Sequence, residues 1–91
     1  MTTLSVRHTV NDFDTWKSAF DNHEPARRSH GATGHRVVRS GDDIEVLIDF
    51  PSVEQARSFT TDPTLKAAMD EAGVVSAPEI TLGDTVERVQ Y

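Results

Sequence analysis

The chain has 91 residues and no cysteine, sets 9 Lys+Arg against 15 Asp+Glu for a net charge of −6, and is 36% hydrophobic and 26% charged. This composition fits one globular domain over residues 1–91, not a disordered chain. It excludes disulfides, thiolate catalysis and thiolate metal sites, and the acidic balance argues against nucleic acid and anionic membrane as partners, because phosphate binding needs clustered positive charge.

The segment Met1-Thr2-Thr3-Leu4-Ser5 has neither the basic start nor the apolar core of a secretory signal. No apolar run approaches the roughly 20 residues of a membrane span. A cytoplasmic location is the expectation. A domain of this size buries a modest core alone, so an oligomer that covers more apolar surface is expected.

In chain order, Leu4, Val6, His8 and Val10 alternate with Ser5, Arg7 and Thr9, the period of a strand with unlike faces. His8 is the odd member of the apolar face. Asn11 or Asp12 can cap a helix, and Phe13, Trp16 and Phe20 follow on one helical stripe. His23 and Arg27 continue that stripe. Pro25 interrupts it, which predicts a kink or restart between Asn22 and Pro25 and an end by Gly31. His35–Ser40 and Ile44–Phe50 read as strands of a hairpin across Gly41-Asp42-Asp43. Ser52 with Gln55 forms a capping box before the stripe Val53, Ala56 and Phe59. Asp62-Pro63 reads as a second cap with Pro at the first helical position, then Leu65, Ala68, Met69 and Ala72 recur at helical spacing up to Gly73. Glu79–Leu82 is a fourth strand, with Thr85–Val89 as its extension.

The order strand, helix, strand, strand, helix, strand predicts an α+β fold, the ferredoxin-like β-α-β-β-α-β unit, with an antiparallel sheet and both helices on one face. The first strand is then central. The Trp16 helix lies across the face holding Val6, His8, Ile48 and Phe50. The opposite face, with Ser5, Arg7, Thr9, Glu45, Leu47 and Asp49, has no helix and must meet water or a partner.

The sequence resembles the dimeric α/β-barrel proteins of the antibiotic-biosynthesis monooxygenase-like kind. The residues that carry this are Asn11-Asp12-Phe13-Asp14-Thr15-Trp16 after the Arg7-His8 strand, Ala56-Arg57-Ser58-Phe59, Asp62-Pro63-Thr64-Leu65-Lys66-Ala67-Ala68-Met69, and Ala72-Gly73-Val74 followed by Pro78-Glu79. The resemblance runs from about Leu4 to Leu82. It implies a homodimer in which two sheets pair face to face into a barrel, with a pocket between each sheet and its helices. Some such proteins are cofactor-free oxygenases of aromatic substrates, some degrade haem, and many are uncharacterised. The oxygenases often use an Asn, Trp and Tyr or His set. Such a set cannot be placed on this chain: Trp16 and Asn11 share identities with it but not an evident position, and the sole tyrosine is the terminal Tyr91.

His8 is the candidate catalytic group, because imidazole titrates near neutrality and a partly buried one can take a proton from an acidic phenol or enol. Trp16, Phe20, Phe50, Phe59 and Met69, with His23 at the mouth, are the candidate ligand-binding walls, a largely apolar set with few polar groups. The plainer reading makes His8 a hydrogen-bonded core histidine and the aromatics ordinary core. Arg27, Arg28, Arg36 and Arg39 lie in a stretch without acidic residues, as a local anion site or as surface charge. Arg7 and Asp49 are expected to pair across the open sheet face. No metal is expected, since His23 and His30 stand seven apart, roughly 10 Å along a helix. No cofactor is expected either: no phosphate-cradling glycine loop or nucleophile elbow occurs. The two functions that follow are a homodimer binding a small aromatic or apolar ligand, as a cofactor-free monooxygenase or proton-transfer enzyme, and a non-catalytic dimerisation module.

Overall fold

The computed structural model describes all of residues 1–91. Its strands are β1 (Thr2–Thr9), β2 (Gly34–Ser40), β3 (Asp43–Phe50) and β4 (Glu79–Asp84), and its helices are α1 (Phe13–Asn22), α2 (Glu24–Ser29), α3 (Val53–Thr60) and α4 (Pro63–Glu71). The strands form one sheet in the order β2-β3-β1-β4, every pairing antiparallel. This is the ferredoxin-like α+β fold with β1 central, and each expected helical arm is a pair of short helices.

Local chemistry sets the element ends. Asp12 caps α1 by accepting the Thr15 amide at 2.9 Å. Pro25 splits the first arm: α1 stops at Asn22, His23 serves as the cap between helices, and α2 restarts with Pro25 in its first turn. Asp62 caps α4 by accepting the Thr64 amide at 2.8 Å. Gly73, at φ 77°, ends α4 in the left-handed conformation. The Val74 amide then reaches the Met69 carbonyl and the Gly73 amide the Asp70 carbonyl, which closes the last turn. The capping box at α3 differs in detail. Ser52 accepts the Gln55 amide at 3.2 Å, but the Gln55 side chain takes the Ser52 hydroxyl at 2.9 Å instead of the Ser52 amide. Gly31 has a φ of 94°, which favours glycine, and a Cβ there would crowd the Gln55 side-chain nitrogen Nε2.

The apolar face of β1 and β3 meets the helices. Leu4, Val6, Ile44, Val46, Ile48 and Phe50 are buried there against Trp16, Ala56, Phe59 and Ala72. The opposite face carries no helix. Thr3, Ser5, Arg7 and Thr9 alternate along it with Glu45, Leu47 and Asp49 on β3. No helix is long and apolar enough to cross a membrane.

Two expectations fail here. Thr85–Val89 does not extend β4, which ends at Asp84. The partner strand runs out: Asp84 pairs with Thr2, and the Thr85 amide bonds the Met1 carbonyl as the last rung. Arg7 does not pair with Asp49 either. Register sets Arg7 opposite Glu45 and Glu79, four residues away from the Thr3 to Asp49 rung. Asp49 instead accepts from the Thr3 hydroxyl at 3.1 Å and from Arg88 at 3.2 Å.

Candidate functional site

Between the sheet and the α1, α2 and α4 layer lies a cavity of about 50 Å³. At roughly 10–15 Å³ of such space per water, it has room for a few waters. Val6 and His8 from β1 and Val46 and Ile48 from β3 form its floor. Trp16, Ala19, Phe20, His23 and Arg27 come from the first helical arm, and Phe59, Leu65, Ala68, Met69 and Ala72 from the second.

Alternation on β1 turns His8 to the floor, where it is 7% exposed. Its ring meets Trp16 edge-on with centroids 5.8 Å apart. Nδ1 is buried and has no hydrogen-bond partner. Burial pushes the His8 pKa below the ordinary imidazole value, and its own backbone offsets part of that. The ring is therefore neutral at neutral pH and free to accept a proton.

Trp16 is 3% exposed and both fills and lines the space. It stacks on Phe20 at 4.9 Å and 18° and touches Phe13 at 5.8 Å. Phe20, Leu65 and Met69, on the helix side of the wall, are half-buried. His23 stands at the seam of α1 and α2, 3.1 Å from the Thr64 hydroxyl through Nε2 and tilted against Phe59 at 5.9 Å. Burial, and next the Arg27 charge, lower its pKa.

Phe50 stands outside the lining. It is fully buried under α3, 5.9 Å from Phe59. It pairs with Thr2 at one end of β1, while His8 pairs with Ile44 at the other. Six residues of strand separate the two rungs, roughly 20 Å.

Arg27 lines the cavity too; of the four arginines read as a local anion site or as surface charge, it is the one that also continues the helical stripe. It is 3% exposed. Nη1 donates to the Phe20 carbonyl at 2.7 Å, and Cζ lies 3.7 Å from the centroid of the Phe20 ring. Arg28, Arg36 and Arg39 are exposed. The signal for Arg27 was its place on the stripe of Phe13, Trp16, Phe20 and His23, where a side chain faces the sheet whatever its charge.

A second polar cluster lies outside the cavity. His30 meets the Ser58 hydroxyl at 2.8 Å through Nδ1 and Asp62 at 2.7 Å through Nε2. Asp62 also accepts the hydroxyl and amide of Thr64. Those bonds, the Thr64 hydroxyl first and His30 next, hold the Asp62 carboxyl at a pKa of about 2. The cluster ties α2 to α3 and α4 through a helix cap. No three His, Asp or Glu side chains converge as a metal-ligand group.

No known family profile matches this sequence, and no curated protein sequence does. Solved structures do match. SnoaB, a cofactor-independent oxygenase from Streptomyces nogalater, superposes with a TM-score of 0.79 at 15% identity, over 99% of this chain and 97% of its own. A candidate antibiotic biosynthesis monooxygenase from Caulobacter crescentus gives 0.73 at 18% identity, over 94% of this chain and 90% of its own. A protein of unknown function from Nitrosomonas europaea gives 0.75 at 16% identity, over 99% and 93%. The chain has the fold of the antibiotic biosynthesis monooxygenase-like proteins.

Proposed function

We propose that the cleft binds a small, largely apolar ligand and that the chain acts as a cofactor-independent oxygenase in which His8 is the base. The observation that carries this reading is His8 itself: a neutral, buried imidazole with an unpartnered Nδ1 on the floor of an otherwise apolar cavity. The fold shared with SnoaB, a cofactor-independent oxygenase, supports it.

In this mechanism His8 takes a proton from an acidic phenol or enol. The apolar walls keep water from the resulting anion. Molecular oxygen is the oxidant: one atom becomes a carbonyl on the substrate carbon, and the other leaves as water with the hydrogen that carbon lost and the hydroxyl proton that His8 removed. The depressed pKa suits His8 to substrates whose proton is already acidic, since a weak base needs a good acid.

The test is oxygen uptake with a panel of quinols and polyketide-like phenols. His8→Ala lowers turnover about 10²–10⁴-fold, the usual contribution of a general base, with the far-UV circular dichroism unchanged. Turnover within threefold of the unmodified protein would refute the role of His8.

The narrowness of the cavity favours a second reading. With Trp16 stacked on Phe20 at 4.9 Å, only about 50 Å³ is open. In that reading the aromatics are core and the chain is a dimerisation module. A thermal-shift screen against the same phenols separates the two, because a ligand that binds only the native state raises stability. In either reading the helix-free sheet face pairs with a second copy. Val38, at 45% exposed, and Leu47 lie on that face among polar residues. Light scattering at micromolar concentration should give twice the 10.1 kDa chain mass, and a monomer mass overturns the pairing.

A further inference from the structure

Two side-chain nitrogens in this protein are buried without a hydrogen-bond partner: His8 Nδ1 and Arg27 Nη2. They come from different elements, β1 and α2. Both side chains line the same cavity. A buried donor left unmade is costly, and a buried charge without a counterion more so.

Arg27 has no counterion. The ion pairs of the chain join Lys17 to Asp21, Arg28 to Glu24, His30 to Asp62 and Arg88 to Asp49. The acidic neighbours Asp21 and Glu24 are thus engaged with other cations. Their fields do not outweigh burial, which lowers the Arg27 pKa. The guanidinium is nonetheless held in place, by the Phe20 carbonyl on Nη1 and by the Phe20 ring against its face. One end of a rigid fork is fixed and the other is free. A planar, pre-positioned guanidinium of this kind is suited to an anionic oxygen, because little side-chain freedom remains to be lost on binding.

We propose that Arg27 is an anion receptor, and that the cleft takes a compact carboxylate on a small apolar body, with Arg27 Nη2 on the carboxylate and His8 Nδ1 on a further polar atom of the ligand. This rests on the reading of the cleft as a ligand site and names the ligand class. The rest of the lining supports the apolar body: only the His23 ring and the Trp16 indole N–H offer hydrogen-bonding groups there, and His23 is engaged with the Thr64 hydroxyl. The space of about 50 Å³ sets the scale at a few non-hydrogen atoms, with larger bodies displacing the half-buried Phe20, Leu65 or Met69. A phosphate dianion fits less well. It brings more charge than one guanidinium neutralises, and the chain already carries a net charge of −6.

The test uses the full chain and the fluorescence of Trp16, the sole tryptophan, which stacks on the Phe20 ring that carries Arg27. Isobutyrate is titrated against isobutyramide, and benzoate against benzamide, at constant ionic strength. The expected result is saturable binding of each acid at least tenfold tighter than its amide. Arg27→Gln removes that preference, while Arg28→Gln, at an exposed neighbour, keeps it. If Arg27→Gln fails to fold, the acid-to-amide ratio on the unmodified protein decides alone. Acid and amide binding equally overturns the anion receptor and leaves the ligand cleft standing. No change of fluorescence or thermal stability with any acid or amide overturns the receptor, and the phenol screen then decides the ligand cleft by itself. Equal weakening by Arg28→Gln reduces the effect to surface charge and also overturns the proposal.

Discussion

Replacing His8 with leucine should make the protein more stable. The ring is 7% exposed and Nδ1 has no partner. A buried polar atom left unsatisfied costs about 1–3 kcal/mol, and leucine removes that cost at similar volume. Against this stands the edge-on contact with Trp16 at 5.8 Å. Such ring pairs contribute about 0.5–1.5 kcal/mol beyond burial. The net is a gain of about 1 kcal/mol, or roughly 4–8 °C in melting temperature for a domain this size. Urea unfolding at pH 8 measures it as a higher midpoint with an unchanged slope. The pH dependence adds a second signature. The folded His8 pKa lies below its unfolded value of 6.5, so below that value the unfolded chain binds a proton that the native ring does not. Stability is intact above pH 6.5 and falls as the pH drops below it. His23 and His35 have lowered values as well, so His8→Leu removes one of three contributions to that decline. A loss of more than about 1 kcal/mol at pH 8 would refute the reasoning, because it would mean that Nδ1 is satisfied and that the ring is ordinary core.

Trp16→Ala truncates a residue that is 3% exposed at the centre of the aromatic stack and should cost about 3–5 kcal/mol by urea unfolding; a cost under 1 kcal/mol would show that the stack is not part of the folded core. Asp62 holds a folded pKa of about 2 against an ordinary 3.8, so the stability it supplies is present above pH 3.8 and is lost as pH falls towards 2. Asp62→Asn should flatten that acid limb in a series of urea midpoints between pH 5 and pH 2. An acid limb as steep as that of the unmodified protein would place its origin in other carboxylates.

The fold was legible because its signals are local. The alternation from Leu4 to Val10, the caps at Asp12, Ser52 and Asp62, and the stop at Gly73 each state a backbone event within four residues. The restart at Pro25 is of the same kind. The failures are non-local. Alternation gives the face on which Phe50 lies, but not which helix covers that end of β3. It sets Arg7 on the open face, but the register of β1 against its non-sequential partners β3 and β4 decides that Glu45 and Glu79 are its neighbours. Arg27 received two readings for another reason. Composition groups it with Arg28, Arg36 and Arg39, whereas periodicity groups it with Trp16 and Phe20, and in a helix one residue's turn of 100° separates a buried position from an exposed one.

The same conflict between composition and position is what marks the cleft. Eleven apolar residues make up the buried core, a small set for a chain of this length. Such a core has little stability to spare. Yet the two residues that carry unsatisfied buried nitrogens, His8 and Arg27, both line one cavity. A leucine or methionine in place of Arg27, and a leucine in place of His8, would remove both penalties. Elsewhere the chain obeys the rules of satisfaction with care: Asp12, Ser52, Asp62 and His30 all find partners at 2.7–3.2 Å. Local violations grouped at one place in an otherwise consistent structure are expected at functional or strained sites. A buried imidazole alone could be a tolerated core histidine. A buried imidazole lining the same cavity as an uncompensated guanidinium is a double cost that packing alone does not offset, and that cost is what supports the proposed ligand reading.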